Sequence, residues 1–220
     1  MHIPDGFLNT ATSAATWVAA AGGLAYGTRR LTAEIEEHQA PLLGVTAAFI
    51  FAAQMMNFTV AGGTSGHLLG GTLAAILLGP WAGMVVITAV LAVQALVFQD
   101  GGLLALGANV LNMAVVGVLV AGVTYRLLRK LLGERPWAQS AAAFGSAWLS
   151  VVIASLLAAV ELGLSGASPW GLVLPAMLGV HALIGIGEGI ITLAALALVR
   201  VARPDLLRIS TPTAEQEAVS

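Results

Sequence analysis

Long apolar runs separated by short polar stretches dominate the chain. A helix crossing a hydrocarbon core needs about 20 mostly apolar residues. Runs of that kind recur about seven times, at 8–28, 40–58, 67–79, 81–98, 104–125, 137–161 and 172–199. The pattern predicts an all-α integral membrane protein, with residues 1–200 forming the bundle and 201–220 a polar cytoplasmic tail. The third run is short, about 20 Å at 1.5 Å per residue, and Gly79-Pro80 separates it from the fourth. Its start is expected below the membrane surface, which would bury whatever sits there.

Composition agrees. Residues of the AVILMFWYC set make up 58% of the 220 residues, charged residues only 9%, and mean hydropathy is +0.92. An average globular chain carries roughly 25% charge. So few charged side chains cannot cover a water-exposed surface, and lipid must solvate the outer face. The nine basic residues are Arg29, Arg30, Arg126, Arg129, Lys130, Arg135, Arg200, Arg203 and Arg208. With seven spans, all follow span 1, span 5 or span 7, so they share one side, the cytoplasmic one by the positive-inside rule. The N-terminus and segments 59–66, 99–103 and 162–171 then face outside. No basic leader precedes Asp5, so a cleavable signal is not expected.

Several functions are excluded. A net charge of -2 gives no basic field for nucleic acid. The absence of cysteine removes thiolate metal sites and disulfides. The only lysine, Lys130, has no GxxxxGK[ST] around it, so the chain carries no P-loop for ATP. HExxH and GxSxG are also missing, which leaves two common hydrolase readings unsupported.

Chemistry concentrates at the chain start, Met-His-Ile-Pro-Asp-Gly. Methionine removal needs a small second residue, so Met1 is expected to stay ahead of His2. A free Met1 amine, the His2 backbone nitrogen and the His2 imidazole would close a five- and a six-membered chelate ring on one metal. Planar nitrogen ligation points to Ni(II) or Cu(II). Pro4-Asp5-Gly6 suits a tight turn that folds the terminus back into the bundle. A fourth donor is available in Ala61-Gly-Gly-Thr-Ser-Gly-His67 on the same side, where glycines allow close backbone approach. A helix N-terminus near His67 disfavours a cation but also keeps the imidazole neutral.

Other polar positions carry weaker expectations. Asp5, Ser65, Asp100 and Asn109 are candidates for supporting contacts around the ion, with closing its loop the favoured reading for Asp100. His181 and Glu188 lie seven apart on one helical face of span 7. Ionisable groups within a membrane face protein or water, so these two form either a structural polar pair or a relay. Gly44, Ala48 and Ala52 make a small-residue stripe that permits close helix approach, within the chain or against a partner.

Met-His-Ile-Pro-Asp-Gly, GGTSGHLLGG at 62–71, QDGGLLALGANVLNM at 99–113 and HALIGIGE at 181–188 together resemble the CbiM/NikM family. These are the substrate-capture (S) components of cobalt/nickel energy-coupling-factor (ECF) transporters, and the likeness runs over nearly the whole chain. The resemblance implies a seven-helix bundle whose outside N-terminus inserts inward. It implies metal ligation by Met1, His2 and His67, with Ni²⁺ or Co²⁺ as transported substrate. It also implies separate ATPase subunits and a transmembrane coupling (T) subunit, which accounts for the missing P-loop and for no enzyme activity in this chain. A small accessory membrane subunit often accompanies such systems, and the Gly44/Ala48/Ala52 stripe is a candidate T-subunit dock. The expected location is the cell membrane of a prokaryote. A proton-coupled secondary transporter using His181 and Glu188 is the alternative, and a metal-dependent membrane enzyme a further one, though no activated nucleophile is visible.

Overall fold

The computed structural model describes every residue except 35–39, 57, 61–63, 134, 136 and 204–220. Seven helices follow one another: α1 (Thr10–Glu34), α2 (Ala40–Gln54), α3 (Gly71–Leu78), α4 (Pro80–Val97), α5 (Leu106–Leu132), α6 (Ala138–Leu164) and α7 (Trp170–Ala202). Between α2 and α3 runs a short antiparallel hairpin, β1 (Phe58–Val60) and β2 (Thr64–Gly66), with Thr59 opposite Ser65. It lies against α7. The glycine-rich segment expected as a loop is thus partly a hairpin that delivers the chain to His67.

Sequence punctuation sets the boundaries. Gly70 takes the left-handed conformation (φ 74°) just before α3, and Gly79 with Pro80 at the first helical position divides α3 from α4. Gly133 (φ 70°) stops α5 and Pro169 opens α7. Within α5, Val110–Gly117 winds as a π-helix, the wider turn that recurs at functional sites.

The expected bundle of about seven helices is met, and the helices differ in length and hydropathy. Four helices, α4 to α7, are long and apolar enough to cross a membrane. α2 has 15 residues, about 22 Å, and α3 only eight, about 12 Å. α1 is long, but Thr, Ser, Gly and the Arg29-Arg30 pair dilute its hydropathy. Despite its length α3 is buried from Gly71 to Leu77, a half-helix at the centre of the bundle. The anticipated burial of its start is met: His67 is 0% exposed.

The bundle has two chemically distinct ends. At one, Tyr26 of α1 meets Trp81 of α4 edge-on, Gly122 of α5 approaches Pro80, and Arg200 Nη2 of α7 donates to Gln139 Oε1 of α6 at 2.7 Å. All eight described basic residues belong to this end, while Arg208 lies outside the described residues. At the other end Ser13 Oγ and Trp17 Nε1 donate to Leu104 O, and Asn9 Nδ2 donates to Leu164 O. The chain start is threaded into that basic-free end.

Candidate metal centre

Residues 1–3 run into the bundle as an extended plug. Met1, His2 and Ile3 are 1%, 3% and 0% exposed. An extended segment needs partners for its backbone groups, and Asn109 supplies two. Its Oδ1 accepts Ile3 N–H at 2.8 Å and its Nδ2 donates to Ile3 O at 3.1 Å, while Gly102 N–H also donates to that oxygen. The Asp5 carboxylate then accepts from the N–H groups of Leu103, Leu104 and Ala105. Asp5 therefore pins the turn to the 103–105 loop. Asn109 thus holds the plug by the Ile3 backbone. Gly101 (φ 95°) passes beneath His2, where a Cβ would stand 3.2 Å from His2 Cδ2.

The plug places His2 against His67. The two rings stack with centroids 4.4 Å apart and planes 22° from parallel. His67 Nδ1–H donates to Leu68 O at 2.7 Å, which fixes the tautomer and leaves Nε2 as a lone-pair donor. That Nε2 is buried with no hydrogen-bond partner among the described residues. A buried nitrogen without a partner costs roughly 1–3 kcal/mol, so its orphan state is a positive sign of a ligand. His2 Nε2 lies 3.1 Å from Gln94 Oε1. With the ring proton on Nε2 and donated to Gln94, Nδ1 carries the lone pair, and only Nδ1 can close the six-membered chelate. Asp100 Oδ1 stands 3.3 Å from that Nδ1, within reach of its proton in the other tautomer.

Electrostatics prepares these nitrogens. Burial holds the Met1 amine well below its usual value near 8.0, with Asp100 opposing. Burial likewise lowers His2 below 6.5, against the pull of Asp100 and Gln94. It lowers His67 well below 6.5, and the neighbouring Met1 amine adds to the effect. All three shifts favour the neutral form, the state in which nitrogen ligates.

Two metal–nitrogen bonds of about 2.0 Å put neighbouring square-planar donors about 2.8 Å apart. The His2 and His67 rings, stacked with centroids 4.4 Å apart, would have to turn toward a common point to bind one ion. No group of three His, Cys, Asp or Glu side chains stands together among the described residues. The buried Met1 amine and the His2 backbone nitrogen are main-chain donors near these rings.

The expected pairing of His181 with Glu188 is not formed. Seven residues on a helix span about 10 Å, and each group turns elsewhere. His181 Nδ1–H donates to Met177 O, whereas the Glu188 oxygens accept from Leu69 N–H and Gly70 N–H. Gly44, Ala48 and Ala52 lie exposed on α2 and pack no neighbouring helix closely, Gly44 having open space beyond it. The Ser65 side chain lies outside the described residues. Sequence reasoning overlooked Gln94 and Gln54, single buried amides within apolar helices. Their polarity against an apolar background was the available signal.

Residues 2–206 match the family model described as CbiM, cobalt uptake substrate-specific transmembrane region. The chain belongs to the CbiM family. A Haloquadratum walsbyi relative of this CbiM-family chain is 43% identical over 209 residues, covering 94% of this chain and 93% of that one. The fused nickel transport protein NikMN of Rhodobacter capsulatus is 39% identical over 223 residues, covering 94% of this chain and 64% of its own length. A crystal structure of a truncated transition metal transporter superposes with a TM-score of 0.84 at 33% identity, over 91% of this chain and 99% of that one. The CbiM-family chain is thus a cobalt/nickel transport component of a transition-metal transporter, and a membrane transport protein rather than an enzyme.

Proposed function

We propose that this chain is the S component of an ATP-driven ECF importer, and that it captures one Ni²⁺ or Co²⁺ at the outer face. Four nitrogens hold the ion: the free amine of Met1, the deprotonated backbone nitrogen of His2, His2 Nδ1 and His67 Nε2. Residues 1–200 form the metal-binding unit and 201–220 a cytoplasmic tail. The basic end of the bundle faces the cytoplasm and the plugged end faces outward, in the cell membrane of a prokaryote. A T subunit and ATPase subunits supply the energy that this chain lacks, and in some systems a small accessory membrane subunit accompanies them. The exposed Gly44/Ala48/Ala52 stripe suits T-subunit docking.

The observation that carries the reading is the stack of His2 on His67 beside a buried amine, with Nε2 of His67 unpartnered. The chelate of amine, amide and Nδ1 fills three corners of a square. His67 Nε2 occupies the fourth, opposite the amide nitrogen. Square-planar nitrogen geometry favours Ni²⁺ over Co²⁺. Proton coupling through a His181–Glu188 relay gains no support, because His181 bonds Met177 O while Glu188 bonds Leu69 and Gly70.

Isothermal titration of the purified full chain with Ni²⁺, Co²⁺ and Cu²⁺ tests the site. The expected stoichiometry is about one ion per chain, and His67→Ala should weaken binding more than 100-fold. Unchanged affinity in that variant would remove His67 from the site. Uptake by this chain alone, driven by a proton gradient in ATP-free vesicles, would overturn the ECF assignment.

A further inference from the structure

The segment that carries His67 is held at an unusual point. Leu69 N–H and Gly70 N–H, two consecutive backbone donors, both point at the Glu188 carboxylate of α7. Leu69 N–H donates to Oε2 at 2.8 Å and Gly70 N–H to Oε1 at 2.6 Å. From α2, Gln54 Nε2 donates to Leu69 O at 2.7 Å. Leu68 O is taken by His67 itself. Glu188 is 2% exposed, Gln54 0% and Leu69 0%. Gly70 makes the arrangement sterically feasible. Its φ of 74° is one that L side chains rarely adopt, and a Cβ there would lie 2.7 Å from Ile50.

We infer that Glu188 is a positioning residue for metal capture: its carboxylate latches the 69–70 backbone to α7 and so fixes where His67 Nε2 stands. This rests on the proposed role of His67 as fourth donor. A buried carboxylate in a membrane helix is costly to keep, and two charge-assisted bonds to adjacent amides are a strong, directional use of it. Four backbone or side-chain bonds converge on residues 67–70 from α2, α7 and the loop itself. Square-planar ligation tolerates little displacement of a donor, so a loose loop would offer the ion three nitrogens instead of four. Gln cannot replace Glu here, because a carboxamide has one accepting oxygen and its NH₂ would face an N–H.

The test is a double-mutant cycle on the full chain, reading Ni²⁺ affinity and the ligand-field absorption band. Glu188→Gln should weaken binding about 10–100-fold, the range for losing a partner of a ligand. It should also move the band to longer wavelength, as His67→Ala does, since water replaces nitrogen as fourth donor. In the His67→Ala background Glu188→Gln should cost nothing further. A full additional loss there, or wild-type affinity in the single variant, would overturn the latch while leaving the metal site standing. Wild-type affinity in His67→Ala would bring down both. If Glu188→Gln does not yield folded protein, amide exchange in the wild type decides. Leu69 and Gly70 should exchange as slowly as the core amides of α7, and exchange at exposed-loop rates would overturn the inference.

Discussion

Adding two residues, Gly-Ser, ahead of Met1 tests the chain start without altering any side chain. Those residues need about 7 Å of extended chain, at a point where Met1 is 1% and Ile3 0% exposed. Retaining the plug would force them into packed helices. Withdrawing it exposes two large apolar side chains, at about 1.5–3 kcal/mol each. It also breaks both Asn109 bonds to Ile3, at about 0.5–1.5 kcal/mol each. The loss totals about 4–9 kcal/mol, an upper estimate because the free segment still buries some surface. Either way His2 becomes the fourth residue, and amine, amide and imidazole no longer close consecutive rings. Nickel affinity should fall by more than 100-fold, beyond the usual cost of losing an outer-shell partner. Residues 1–5 should also become sensitive to protease in the metal-free protein. Calorimetric titration reads the first effect and limited proteolysis the second, with intact mass confirming the terminus. Full affinity in a chain whose mass shows both added residues would refute terminal ligation.

Further expectations are quickly stated. A single added residue creates an amine-Xaa-Xaa-His sequence, which chelates with four nitrogens of its own, so binding should persist but lose its sensitivity to His67→Ala; continued dependence on His67 would argue against the chelate geometry. Asp5→Ala leaves the N–H groups of Leu103, Leu104 and Ala105 without their shared acceptor. It should cost about 0.5–2 kcal/mol of stability in thermal unfolding, with the nickel absorption band unmoved. His2, His67 and the Met1 amine all have lowered values in the fold. The unfolded chain therefore takes up protons first as pH falls, through 8.0 for the amine and 6.5 for the imidazoles. Metal-free stability should decline over that descent and further below it. His67→Ala should flatten the part below 6.5; an unaltered profile would show that His67 is not held neutral.

Much of this was legible in the sequence because the signals were local. Apolar runs gave seven helices, and Gly79-Pro80 marked the break at which the buried half-helix ends. The first two residues declared a chelate because its three nitrogens are adjacent in the chain. What escaped notice was non-local. Nothing near Glu188 indicates that its partners are amides 118 and 119 positions earlier. The equal spacing of His181 and Glu188 on a helical face suggested a pair, yet a shared face says nothing about which neighbouring element each group meets. Gln94 likewise needed α4 to be placed beside the plug before its contact with His2 had meaning. Nor could the runs show that α3, only eight residues long, is buried among longer neighbours.

Charge balance gives the most demanding consequence of the proposed site. A divalent ion buried among helices carries a large desolvation cost unless its charge is offset nearby. The neutral amine and the two neutral imidazoles supply none. The His2 amide supplies one negative charge if it loses its proton on binding, and the Asp100 carboxylate, 3.3 Å from His2 Nδ1, supplies a second. Two positive and two negative charges then cancel within the site, which gives Asp100 a role that loop closure alone would not require. Since the other nitrogens are already held neutral, binding near pH 8 should release about one proton per ion, all from the amide. Calorimetry in two buffers of different ionisation enthalpy measures that number directly. Asp100→Asn should keep the release near one but weaken affinity roughly 10–100-fold, because a positive charge is left uncompensated. Release of no proton would mean that the amide nitrogen is not a ligand, and the square-planar site would have to be abandoned.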